Sequence, residues 1–204
     1  MPLTEEQLPL LLIPASWTEL LKRIQVVCPS AVLAGGALRD LDNGREVKDL
    51  DVFISENSSQ RSEMIAAALR EAGFEITWEP DEDTAYPEDQ NLEVVAVMDL
   101  HGFELPVQLI FTDWDTGQIV DRFDYGICRL SWDGENLVRP PEYDEDKAAQ
   151  LFRLRRDRPT PVSLRGSVRR FARLTSGKYA GWDWQAAETQ SGWGGWSSDV
   201  FASI

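Results

Sequence analysis

Apolar positions along this chain alternate between a two-residue and a helical period, and the changes mark out its elements. Leu50, Val52 and Ile54 alternate with Asp49, Asp51 and Phe53, which predicts a strand over residues 49–54 with one face in a core. The apolar run at residues 31–34 predicts another strand, stopped at Gly35-Gly36. A helical turn over residues 37–41 and a turn at Asp42-Asn43-Gly44 follow. Met64, Ile65, Ala68 and Leu69 share one helical face within residues 61–72. Ser16-Trp17-Thr18-Glu19 has the form of a capping box and predicts a helix reaching Val26 or Val27. Further strands are expected at 74–79, 92–98 and 105–111, the last two joined around His101-Gly102, with an acidic loop at 80–90. A short helix is expected at 117–122, and residues 125–132 should pair with 137–139 across Asp133-Gly134. After Pro140-Pro141 the pattern predicts two helices, 144–156 and 163–175, then a tail holding Trp182, Trp184, Trp193 and Trp196. The chain thus divides into an α/β domain at 1–140 and a helical C-terminal region with a Trp-rich tail at 141–204.

Composition narrows the function classes. No run of about eighteen apolar residues is present, so no membrane span is expected. The first residues lack the basic leader of a secretory signal, and cytoplasmic residence is the expectation. Two cysteines and one histidine offer neither a disulfide framework nor a His-based metal site. The net charge is −15, but residues 151–178 hold nine basic side chains against one acid, leaving eleven bases against thirty-four acids elsewhere. A local basic stripe can hold a phosphate chain on an otherwise acidic protein.

The chemistry concentrates at residues 31–54. As alternate strand residues, Asp49 and Asp51 stand about 7 Å apart on one face. At an effective dielectric near 20 they repel by about 2 kcal/mol. A divalent cation between them reverses the sign, and hard oxygen ligands suit Mg²⁺. Gly35-Gly36 lets backbone N–H groups come close to an anion. Alone, such glycines are more often a tight turn and Asp-x-Asp more often a solvated strand face or edge. Their order and spacing, with Arg39-Asp40 between, point to phosphoryl transfer through two cations.

Gly-Gly-x-x-Arg-Asp at residues 35–40, then Gly44-Arg45, then Asp49-x-Asp51 on a strand, resembles the head-domain signature of class II CCA-adding enzymes and bacterial poly(A) polymerases. These belong to the polymerase-β-like nucleotidyltransferase superfamily. The resemblance implies a twisted mixed β-sheet with flanking helices. It implies that Asp49 and Asp51 are catalytic and hold two Mg²⁺ ions, while Gly35 and Gly36 contact the phosphates of an NTP. Residues 122–128 are similar to that family's Arg-Arg-Asp-Phe-Thr-x-Asn motif, which would bring Arg122 and Asp124 to the nucleotide pocket; a buried ion pair at the start of a core strand is the alternative. Arg39 is either a phosphate contact or the partner of a neighbouring acid. The family's Glu-Asp-x-x-Arg segment has no convincing counterpart near residues 159–171, and its large tRNA-holding helical portion is absent or reduced to about sixty residues. The strand at 106–111 also lacks the expected third carboxylate; Gln108, or Val107, takes its place.

Leu164, Val168, Phe171 and Ala172 form an apolar stripe, flanked by Arg165, Arg169 and Arg173 at four-residue spacing. That row either neutralises a triphosphate or RNA backbone or is a solvated face. The tail suits a covering segment or a protein-binding segment better than a base-stacking platform. The expected function is Mg²⁺-dependent transfer of a nucleoside monophosphate from an NTP to a hydroxyl, an RNA 3′ end of tRNA type first. Transfer to a protein or small molecule, or partner binding by a weakly active domain, is the alternative.

Overall fold

A computed structural model describes residues 11–77, 94–155 and 161–185. The acidic loop at 80–90, Trp193 and Trp196 lie outside the described residues. Helix α1 (Ala15–Gln25) is followed by β1 (Val32–Ala34), α2 (Gly36–Asp42) and β2 (Leu50–Ser55). Next come α3 (Ser59–Glu71), β3 (Glu75–Thr77), β4 (Val94–His101) and β5 (Val107–Thr112). Two 3-10 segments, Thr116–Arg122 and Gly126–Cys128, lead to β6 (Ser131–Trp132) and β7 (Leu137–Val138). Among the described residues these strands form one seven-stranded mixed sheet in the order β3-β4-β5-β2-β1-β6-β7. The β2–β5 pairing is parallel and the others antiparallel.

Alternation sorts the two faces of the sheet. Leu50, Val52, Ile54, Leu109, Phe111, Met98 and Leu100 enter the main core with α1 and α3. Phe53, Ile110, Val32 and Ala34 point the other way and are covered by Ile119, Val120 and Phe123. Asp51 and Gln108 share that second face, beyond the apolar cover.

Several elements depart from the sequence pattern. Ser16 lies inside α1, because the chain enters the helix at Pro14, whose carbonyl accepts from Trp17 and Thr18 N–H. On α3 the buried face runs through Ser62, Ala66 and Leu69, leaving Met64 66% exposed. His101 ends a strand, paired with Glu75 and bonded to Thr77 Oγ1 at 2.6 Å. Residues 126–128 form a 3-10 turn, so the pairing expected for 125–132 shrinks to β6 and β7.

The expected helix at 144–156 is two elements. Helix α4 (Pro141–Ala149) ends at Gln150, which adopts a left-handed conformation (φ 53°) and turns the chain into β8 (Leu151–Arg153). Strand β8 pairs in parallel with β9 (Asp183–Gln185). Between them lies α5 (Pro161–Thr175). Leu164 and Val168 are buried as expected, while Ala172 is exposed and Ser167 is buried. Phe152, fully buried, meets Tyr125, Phe171, Tyr179 and Trp182 with ring centroids 5.4–5.6 Å away. This cluster continues the main core, so α5 is seated on the sheet domain by apolar packing. Trp182 therefore covers apolar surface, as one reading of the tail expected.

Asp42, at the end of α2, accepts from Arg139 (3.0 Å), Tyr143 (2.6 Å) and Lys147 (2.7 Å). Burial alone would raise its carboxyl pKa, but these hydrogen bonds hold it below the usual range. They tie α2 to α4 and so fix the glycine turn at the other end of α2.

Candidate active site

A cleft of about 680 Å³ opens between the β1–α2 turn, the start of β2, β5 and the flank of α5. Its floor is Gly35 and Gly36. Gly35 has φ 79°, and a Cβ there would stand 3.2 Å from the Phe123 ring, so only glycine allows this close approach. Phe123 is held in turn by an edge-on contact with Phe53, centroids 5.7 Å apart.

Asp49 and Asp51 both line the cleft, Asp49 exposed at the mouth and Asp51 half-buried. Burial, with the Asp49 carboxylate beside it, pushes the Asp51 carboxyl up to about 7, against the opposing pull of Arg170 and Arg39. A buried carboxyl that resists ionisation beside a neighbouring carboxylate is chemically suited to a cation. Among the described residues no three His, Cys, Asp or Glu side chains come together as a metal cluster. The hard donors at this place are the two carboxylates and the amide of Gln108, which stands directly opposite Asp51 in the β2–β5 register. That set of hard oxygen donors fits a Mg²⁺ ion that would fill its remaining positions with water or other oxygen ligands.

The opposite wall is basic. Arg169, Arg170 and Arg173 of α5 line the cleft with Lys178 just beyond it, and Lys48 comes from the β2 side. Neither Arg169 nor Arg173 forms an ion pair among the described residues, and both are exposed. Arg170 instead holds Asp124, Nη1 to Oδ2 at 2.5 Å. Lys178 binds Asp40 at 2.5 Å. Arg39 is buried, donating to Asp40 (2.8 Å), Tyr179 (3.2 Å) and Cys128 Sγ (3.2 Å), while still reaching the cleft wall.

The structure thus brings Gly35, Gly36, Arg39, Asp49, Asp51, Asp124 and Arg169 to one cleft. It places Arg122 elsewhere, over the Trp114 ring, and Arg165 on an exposed part of α5 that does not line the cleft. Sequence reasoning did not single out Arg170, Lys178, Lys48 or Phe123. The signal for α5 was present: Gly166 and Arg170, and Arg169 and Arg173, each lie four residues apart, so the four share one helical face that adds Arg170 to the Arg169–Arg173 pair.

A tRNA-processing enzyme in its apo form I is similar to this chain at TM-score 0.59 and 17% identity, over 85% of this chain and 45% of that one. A tRNA nucleotidyltransferase complexed with a primer tRNA and an incoming ATP analog gives TM-score 0.51 at 18% identity, covering 76% and 43%. The Thermotoga maritima CCA-adding enzyme complexed with tRNA gives TM-score 0.56 at 14% identity, covering 88% and 41%. What is shared at these identities is the nucleotidyltransferase-like fold, and this chain spans less than half the length of those proteins. In sequence, no curated protein matches it. The chain belongs to the Gabija anti-defense 2 family, whose model matches residues 15–149.

Proposed function

We propose that this protein transfers a nucleoside monophosphate from an NTP to a hydroxyl group, with divalent cations held by Asp49 and Asp51. The observation that carries the reading is one cleft lined by two carboxylates, the Gly35-Gly36 turn beside Phe123 and a basic wall. Its volume lies within the usual range for small-molecule sites.

In the transfer, the acceptor hydroxyl gives up its proton to solvent, its oxygen forms a bond to the α-phosphorus, the bond from that phosphorus to the bridging oxygen breaks, and pyrophosphate leaves with the electron pair. Gly35 and Gly36 let the phosphates lie against the backbone, and Arg169 and Arg173 meet their charge from α5. Bound at Asp49, Asp51 and Gln108, the cations would supply charge neutralisation at phosphate and a lower pKa for the acceptor hydroxyl. Arg39 and Arg170 are tethered by carboxylates, so they hold α2 and α5 in place and add positive potential.

An RNA 3′ end of tRNA type is the first acceptor to test, since two of the similar structures are complexes with tRNA. A protein hydroxyl is the second reading. It is favoured by the net charge of −15, which repels a polyanion outside the basic wall, and by a family described through its action against a defence system. Incubation with Mg²⁺, each α-labelled NTP and a lysate containing RNA and protein separates the readings. Label in RNA supports the first and label in protein the second. No label with any NTP would overturn transfer.

A further inference from the structure

Across the open face of the sheet, Thr77, Asp99, Gln108 and Asp51 stand directly opposite one another on β3, β4, β5 and β2. Residues opposite each other on neighbouring strands point to the same side, so these four form one polar row leading into the cleft. Within it, Gln108 Nε2 donates to Asp99 Oδ1 at 3.0 Å. An ionised carboxylate only accepts, so the amide must present its nitrogen, not its oxygen, to Asp99. The opposite orientation would set two acceptors against each other.

We propose that Asp99 is a positioning residue that locks the Gln108 amide so that its oxygen turns back toward Asp51, giving the metal site a neutral third oxygen ligand. The inference rests on the transfer reading only for the purpose of that ligand; the lock itself stands on the hydrogen bond and the register. Asp51 lies one strand away, a spacing of about 4.8 Å, within reach of an ion shared with the amide oxygen. Glutamine also suits the row better than glutamate. A carboxylate at position 108 would sit between Asp99 and Asp51, making three like charges on three adjacent strands.

Asp99 is exposed, so its hydrogen bond adds little to the fold and its loss acts on the orientation of Gln108. The test compares wild type, Asp99→Asn, Gln108→Glu and Gln108→Glu/Asp99→Asn without NTP or acceptor. The readouts are the side-chain amide resonances of ¹⁵N-labelled protein, with position 108 assigned by the resonance lost in Gln108→Glu, and Mg²⁺ affinity by titration. In wild type the Gln108 amide protons should report a hydrogen bond to carboxylate and respond to Mg²⁺. Asp99→Asn should shift or average them and weaken Mg²⁺ binding about tenfold. The double variant should bind Mg²⁺ at least as tightly as wild type, because the Asn side chain then donates to the new carboxylate, whereas Gln108→Glu alone should fall short of it. Unchanged amide resonances in Asp99→Asn, or equal affinities for Gln108→Glu and the double variant, would overturn the proposal. So would a lower melting temperature in Asp99→Asn with full Mg²⁺ affinity, which would make the pair structural. A lock and Mg²⁺ response found together with no transfer to any acceptor would sink the transfer reading alone.

Discussion

Arg170 Nη1 and Asp124 Oδ2 lie 2.5 Å apart, joining α5 to the segment that follows the glycine floor's aromatic cover. Asp124 is almost fully enclosed and the Arg170 side chain is one-fifth exposed. Removing Arg170 takes one cation away from a buried carboxylate. Arg170→Met is therefore expected to lower unfolding free energy by about 3 kcal/mol, and Asp124→Asn in the same background to recover most of it. Urea unfolding of the four proteins checks this. Losses that simply add would show that the two side chains act independently.

Replacing Asp49 and Asp51 together by Asn should abolish nucleotidyl transfer while leaving the circular dichroism spectrum unchanged. Both carboxylates face the cleft, and among the described residues neither joins a salt bridge that ties elements of the fold together. Normal transfer by this variant would remove the metal assignment. Unfolding would make the pair structural.

Those two aspartates and the two glycines were legible in the sequence because their meaning is local. Alternation along β2 fixes which side Asp51 takes, Asp49 comes just before the strand and also lines the cleft, and a positive φ beside a ring asks for glycine at 35. The basic wall was less legible. Arg165, Arg169 and Arg173 make a regular row, but the rotation of α5 is set by Leu164, Val168 and buried Ser167, and that rotation brings Arg170 inward and leaves Arg165 outside. Strand β8 was hidden for a different reason. Its partner β9 begins thirty-two residues further on, so nothing near Leu151 announces the pairing. Met64 misled because the alanines and serine of α3 are as compatible with the core face as methionine, and it is Ser62, Ala66 and Leu69 that are buried.

The same geometry divides the arginine row. Arg169→Gln/Arg173→Gln should weaken ATP binding by about tenfold for each arginine that meets phosphate, and the difference from wild type should shrink as salt is added. Arg165→Gln should bind as wild type does. Calorimetry at low and high salt reads both. Equal losses at all three positions would point to a general field of the helix rather than contacts in the cleft.

The last expectation follows from the Asp51 carboxyl, raised from 3.8 to about 7 by burial and by Asp49. Below pH 3.8 the folded and unfolded chains both carry this proton, and Asp51 costs nothing. Between 3.8 and about 7 the unfolded chain has released it while the folded one retains it, so rising pH favours unfolding. A tenfold change in proton affinity corresponds to about 1.4 kcal/mol, and above pH 7 the full penalty, as much as about 4 kcal/mol, is in place. Without metal, Asp51→Asn should therefore match wild type in stability near pH 4 and exceed it increasingly up to about pH 7.5. Mg²⁺ reverses the direction, because it binds the ionised carboxylate and must displace the proton. Its affinity should be about tenfold weaker at pH 6 than at pH 8, and wild type should gain more stability from Mg²⁺ at pH 8 than Asp51→Asn does. Thermal unfolding across this range, with EDTA and with Mg²⁺, measures both effects. A stability difference between wild type and variant that stays flat from about pH 4 to 8 would mean that Asp51 is ionised throughout and that the carboxylate pair does not hold a proton in place of its cation.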